Sequence, residues 1–196
     1  PLFSLTEKVW WMAAALVLGL GFFTYLMTRI GKQAPAWVAA PEIVLALSLY
    51  RGLACYGEIP HGAFFLCLTG LICALTDIFA YLVGSRFGRH KLAPKVSPGK
   101  SIEGALGGLG ITVVLIVLVF GRFFDDIGTL VLYTAVVSIL GQFGDLSMSA
   151  VKRVAGVKDF GHIFPGHGGI LDGCDSLMYP LAFTWLLYCA PIWIFV

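Results

Sequence analysis

Between Ser149 and Asp175 the sequence reads SAVKRVAGVKDFGHIFPGHGGILDGCD, and it concentrates groups able to do chemistry. It holds the cations Lys152, Arg153 and Lys158, the carboxylates Asp159, Asp172 and Asp175, two imidazoles and a series of glycines. The chain as a whole is only 12% charged, and this stretch lies between two apolar runs. Polar groups in that setting must be solvated, paired or bound to a ligand. On a helix, Asp145, Ser149 and Lys152 share one stripe, and Asp172 and Asp175 share a face at the start of the next helix. Carboxylates from two neighbouring helices can then converge. Oxygen ligands without clustered cysteine suit a hard cation, and Mg2+ takes one or two carboxylates together with water and phosphate oxygens. A second cation is left open. The competing explanation is that Asp172 or Asp175 caps the following helix, which leaves Asp145 unexplained.

The PGHGG segment, Pro165 to Gly169, precedes that helix by a few residues. Backbone N–H groups of Gly168 and Gly169 can form an anion-binding nest, and a helix N-terminus adds favourable potential. Tight turns use glycine too, so the segment gains meaning from its neighbours Lys152, Arg153, Lys158 and Asp172. Together they describe a site for phosphates and a metal. His167 could act as a base, but a phosphate monoester has its second pKa near 6 and is a competent nucleophile at neutral pH. Positioning is therefore the expected role of His167.

A second polar stretch, SPGKS at Ser97 to Ser101, sits in a basic loop. It invites comparison with a Walker A motif, but Pro94 stands where that motif needs glycine and a membrane helix, not a strand, comes first. An ATPase P-loop is excluded. Ser97, Lys100 and Ser101 remain candidates for binding phosphate at the headgroup level, against the alternative of a plain positive-inside bias.

These residues must be positioned by membrane helices. The 196-residue chain is 59% apolar with a mean hydropathy of +0.90. A bilayer core about 30 Å thick needs roughly 20 apolar residues per helix. Six runs qualify: Val9–Thr28, Ala34–Tyr56, Gly62–Ser85, Gly104–Phe120, Gly128–Lys152 and Ser176–Val196. The second is interrupted by Pro35, Pro41, Glu42 and Arg51 and reads as a tilted span or a re-entrant segment. The first is too long for a signal-peptide core. Because the chain begins at Pro1 and not Met, residues upstream are expected.

The fold class is thus an all-α, polytopic integral membrane bundle of about six helices. It reads as a single transmembrane domain over 1–196, with a catalytic stretch at 145–175 and a supporting cytoplasmic loop at 86–103. Small residues at the start of the fourth run, Gly104, Ala105, Gly107 and Gly108, should let helices approach closely. Asp77, alone in an apolar run, should face the bundle and find a partner. Lys and Arg concentrate in the loops after the first, third and fifth runs, which places those loops in the cytoplasm. The five cysteines show no metal-binding spacing and read as structural. The net charge of +2 and the lack of a basic tract interleaved with aromatics exclude nucleic acid as a partner.

With these residues assembled, the chain resembles the phosphatidate cytidylyltransferases, also called CDP-diacylglycerol synthases. Their C-terminal signature, S-x-x-K-R-x4-K-D-x-G-x3-P-x-H-G-G-x-x-D-R-x-D, is matched here at Ser149, Lys152, Arg153, Lys158, Asp159, Gly161, Pro165, His167, Gly168, Gly169, Asp172 and Asp175. Upstream, TDIFAYLVGSRFGRHKLAPKVSPGKSIEGALGG is similar to the family's D-x-x-A-Y-x-x-G and S-P-x-K-[ST]-x-E-G blocks. One departure stands out: the family's arginine between the two signature aspartates is Gly173 here.

The resemblance implies that CTP and phosphatidate are substrates, giving CDP-diacylglycerol and pyrophosphate in a bacterial inner membrane. It also implies an active site facing the cytoplasm. Asp145, Asp172 and Asp175 would hold Mg2+, and Lys152, Arg153 and Lys158 would bind phosphates, with membrane lipids as surroundings and a homodimer left open. Two rivals stand beside it: a CTP-dependent enzyme acting on another lipid phosphate, and a transporter in which Asp77 and Asp145 are ion ligands.

Overall fold

The computed structural model describes residue 53, residues 61–154, residue 156 and residues 175–189, the backbone alone being described for 184–189. Helix α1 runs over Gly62–Phe87, with no proline to interrupt it. A short antiparallel hairpin follows, β1 at Lys91–Ala93 and β2 at Ser97–Ser101. Helix α2 covers Ile102–Phe120 and continues as a single 3-10 turn, Gly121–Phe123. Helix α3 spans Ile127–Val154, and helix α4 spans Met178–Cys189.

Three of these elements, Gly62–Phe87, Ile102–Phe123 and Ile127–Val154, are long and apolar enough to cross a membrane. They coincide with the third, fourth and fifth runs of the sequence. The Val9–Thr28 run lies outside the described residues, as does Ala34–Tyr56 apart from Leu53. Of the Ser176–Val196 run, the described part contains the 12-residue helix α4. Leu82, Leu106, Val114, Leu118, Leu132 and Ile139 are exposed, as lipid-facing positions should be.

The helices meet at two kinds of contact. The first is a close seam between α1 and α2, built from small residues as the sequence predicts. A Cβ on Gly104 would lie 2.6 Å from the Ala80 carbonyl oxygen, and one on Gly108 would lie 2.7 Å from that of Thr76. Only glycine permits this approach. The second is a core of Leu68, Ile72, Cys73, Ile116, Leu130, Tyr133 and Val137, where α1, α2 and α3 meet.

Buried hydroxyls cross-link the same helices. Thr69 pairs with the Tyr133 hydroxyl at 2.7 Å, and Thr76 donates to Ser138 at 2.9 Å. Such bonds contribute about 0.6 kcal/mol each in a membrane interior. Their greater effect is to fix the rotation of α3 against α1, and so the direction of its polar stripe.

The hairpin corrects one expectation. SPGKS is not an open loop but the second strand of a two-stranded ladder, with Lys91 opposite Ser101 and Ala93 opposite Ser97. Ala93 and Val96 are buried, which anchors the hairpin to the end of the bundle. A backbone committed to β1 cannot wrap phosphates as a P-loop does, and this adds to the reasons for excluding one. Ser101 then caps α2: its Oγ accepts from the Gly104 N–H at 3.1 Å.

Candidate functional site

Helix α3 carries the stripe that its spacing predicts. The Ser149 hydroxyl donates to Asp145 Oδ1 at 3.3 Å, and Lys152 lies one turn further along. Two features aim this stripe at its partners. Gly141 and Gly144 let the turn before α4 come close, since a Cβ on Gly144 would lie 2.6 Å from the Asp175 carbonyl oxygen. Gln142 donates from Nε2 to the Ala105 carbonyl at 3.2 Å and ties α3 to α2.

Asp145 and Asp175 each pair with an ammonium group. Lys100, from β2, pairs with Asp145, joining residues 45 positions apart. Lys152 lies 3.8 Å from Asp175. The Lys152–Asp175 side chains are 12% and 13% exposed, which leaves little water between them to weaken the attraction. Burial pushes the Asp175 carboxyl up to about 7, the charge on Asp145 adds to the rise, and Lys152 opposes it.

Asp175 also departs from its expected position. It occupies a turn ahead of α4 rather than the first turn of the helix, and its Oδ1 accepts from the Ser176 N–H at 2.8 Å. Capping in the ordinary sense therefore does not explain it.

Asp77 faces the bundle, as its insertion cost requires. It lines a cavity of about 430 Å³ together with Lys100, Asp145, Ser97, Ser101 and Gln142. The charges of Asp145 and Lys100 reach it there, and the Ser176 side chain hydrogen-bonds to it. Three of the polar residues singled out in SPGKS thus line the same cavity as the α3 carboxylate. Arg153 points elsewhere: its Nε donates to the Val96 carbonyl at 3.2 Å, fastening the hairpin to α3.

Lys158, Asp159, His167, Gly168, Gly169 and Asp172 lie outside the described residues, as does Gly173. Among the described residues no three His, Cys, Asp or Glu side chains form a complete ligand set. The carboxylates that are present, Asp145 and Asp175, offer oxygen donors on adjoining elements. That chemistry fits a hard cation which takes one or two carboxylates and fills its shell from water and phosphate.

One residue enters the sequence reading only as the glutamate of the S-P-x-K-[ST]-x-E-G block, with no role given to it. Glu103 accepts from the backbone N–H groups of Arg89 at 3.1 Å and His90 at 3.2 Å, and it pairs with His90 Nδ1 at 2.6 Å. Its signal was faint: a carboxylate at the start of a helix usually needs no more than the helix dipole to account for it.

Comparison with known proteins identifies the family. The family model described as Cytidylyltransferase family matches residues 2–190, and the chain belongs to that family. Among curated relatives, the phosphatidate cytidylyltransferase of Staphylococcus haemolyticus (strain JCSC1435) is 46% identical over 170 residues. Those of Staphylococcus saprophyticus (strain ATCC 15305) and Staphylococcus aureus (strain COL) are 36% and 38% identical over the same length. Each alignment takes in 84% of this chain and 65% of the relative, so the chain spans just under two thirds of their length.

Proposed function

We propose that this protein transfers the cytidylyl group of CTP to phosphatidate, giving CDP-diacylglycerol and pyrophosphate. The reading rests on one observation above others: a chain of the Cytidylyltransferase family brings Lys100–Asp145 and Lys152–Asp175 to the same end of a membrane bundle. A lipid carrying a phosphate monoester presents that group at the headgroup level, within reach of residues at the end of a membrane-spanning helix such as Lys152. Its oxygen attacks the α-phosphorus of CTP. The bond from that phosphorus to the β-phosphate bridging oxygen breaks, and pyrophosphate leaves with the electron pair. The monoester is largely dianionic at neutral pH, so the protein need not supply a base.

What the protein must supply is alignment and positive charge. Lys100 and Lys152 lie beside the carboxylates and can turn to phosphate oxygens, with Lys158 and the Gly168–Gly169 segment adding donors. His167 positions, and Ser149 holds Asp145 in place. Asp145, Asp172 and Asp175 would hold Mg2+, which when bound neutralises triphosphate charge and aligns its oxygens. The site faces the cytoplasm of a bacterial inner membrane, an orientation supported by the bias of Lys and Arg toward that side.

The test is to incubate purified protein with labelled CTP, Mg2+ and phosphatidate in mixed micelles and to look for a labelled lipid. Label should enter the lipid only when all three are present. Asp145→Asn should lower the rate at least about a hundredfold, the cost of removing one preorganised charged group, while the protein elutes as the folded species. Labelled lipid formed at the normal rate by that variant would overturn the site, and ion flux without nucleotide would favour a transporter.

A further inference from the structure

The hairpin that delivers Lys100 has little structure of its own. Its ladder has two registered pairs with an irregularity between them, and isolated two-stranded hairpins are marginal in water. Something must hold its base shut. On the side facing α3 the anchors are the Lys100–Asp145 pair and Arg153 on the Val96 carbonyl. On the other side the anchor is Glu103, and its geometry is unusual for a surface carboxylate.

Glu103 belongs to the first turn of α2, yet its carboxylate turns back to the segment that leaves α1. It collects three donors there: the N–H groups of Arg89 and His90 and the His90 ring. The return connection is made by the Ile102 N–H, which donates to the His90 carbonyl at 2.9 Å. Arg89–His90 and the Ile102–Glu103 pair are thereby stapled through four contacts, and the chain between them is the hairpin. Beneath the staple, Ser101 sits against α1 so closely that a Cβ on Gly84 would lie 2.9 Å from its Oγ. Lys100 is the next residue out.

We infer that Glu103 is a positioning residue for Lys100: it closes the base of the hairpin and so holds the lysine ammonium over Asp145 and the cavity, where triphosphate oxygens would bind. This rests on the cytidylyltransferase reading for the role of Lys100, and on geometry alone for the clamp. Glu103 itself touches no substrate. Its carboxylate pairs with His90, whose side chain is 75% exposed, and is not among the groups that line the cavity.

A double-mutant cycle in the full chain, purified in detergent, separates positioning from general support of the fold. The first readout is hydrogen–deuterium exchange of the segment 88–101. Glu103→Ala should speed it by at least about tenfold, the loss expected for charge-assisted bonds, and Glu103→Gln, which keeps an acceptor oxygen, should fall between. The second readout is CTP binding by titration calorimetry. Glu103→Ala should weaken it at least about fivefold in the wild-type background and less than about twofold with Lys100→Met, because the effect travels through that lysine.

Equal weakening in both backgrounds would mean that Glu103 only supports the fold and would overturn the inference, as would unchanged exchange in Glu103→Ala. If the wild-type chain does not bind CTP, the cytidylyltransferase reading fails, and the exchange measurement still decides the clamp.

Discussion

At the scale of the residue, the site is a set of carboxylates that have been given cations of their own. Asp145 and Asp175 would repel one another across a poorly hydrated end of the bundle. Lys100 and Lys152 each relieve one of them. The balance is incomplete at Asp175, whose carboxyl stands at about 7 because burial outweighs Lys152. In metal-free protein Asp175 is therefore mostly protonated at pH 6 and mostly ionised at pH 8. Infrared difference spectra should show a protonated carboxyl band that disappears with a midpoint near 7 and is absent in Asp175→Asn. Lys152 favours the ionised form, so Lys152→Met should move the midpoint to higher pH; a midpoint that stays put would mean that the two side chains do not interact in solution. Much of this site was legible in the chain. Asp145, Ser149 and Lys152 announce themselves by helical spacing. The pairing of Lys100 with Asp145 does not, because no periodicity relates residues on separate elements. Glu103 is legible as the glutamate of the S-P-x-K-[ST]-x-E-G block, but its role is not: a carboxylate at a helix start is accounted for by solvent and the helix dipole, and spacing does not show three donors aimed at it.

At the scale of the element, hydropathy located the helices and small residues located their contact. The runs read as Gly62–Ser85 and Gly128–Lys152 are the helices Gly62–Phe87 and Ile127–Val154, each reaching past the charge, Arg86 or Arg153, at which the apolar run stops. SPGKS reads in the sequence as part of a basic loop, yet it forms an edge strand, which tolerates Pro98 and Gly99 when burial of Ala93 and Val96 anchors its hairpin. The α1–α2 seam offers the sharpest test at this scale. A methyl group on Gly108 would meet the Thr76 carbonyl at 2.7 Å and Ala80 at 2.9 Å, and neither is the movable end of a side chain. Gly108→Ala should therefore cost about 1 to 3 kcal/mol, the usual penalty of overpacking, and lower the thermal unfolding midpoint in detergent. Gly110, on the same helix, has nothing within 4 Å, and Gly110→Ala should be neutral or slightly stabilising. Equal midpoints for the two variants would mean that the helices do not touch along this seam.

At the scale of the whole molecule, the described residues gather the Lys100–Asp145 and Lys152–Asp175 pairs at one end of a bundle whose helices carry apolar outer faces. The hairpin between α1 and α2 and the C-terminal end of α3 meet through Lys100–Asp145 and through Arg153 on Val96, so they share that end. The connection between α2 and α3, which contains Asp125 and Asp126, lies at the opposite ends of those helices. The proposed cytoplasmic orientation rests on charge: among the described residues the exposed cations Arg86, Arg89, Lys91 and Lys95 cluster at the hairpin, and Arg122 stands near the other connection. A bias of this kind orients a membrane protein with its basic loops inside. In a background cleared of native cysteines, Lys95→Cys should resist a membrane-impermeant thiol reagent in intact cells and react in inverted vesicles, while Asp125→Cys should behave in the opposite way. The two probes are linked by α2 alone, so a chain that crosses the bilayer there must give opposite results. Identical labelling of both positions in intact cells would mean that Ile102–Phe123 does not span, and a reversed pattern would place the Lys100–Asp145 site on the outer face, away from cytoplasmic nucleotide.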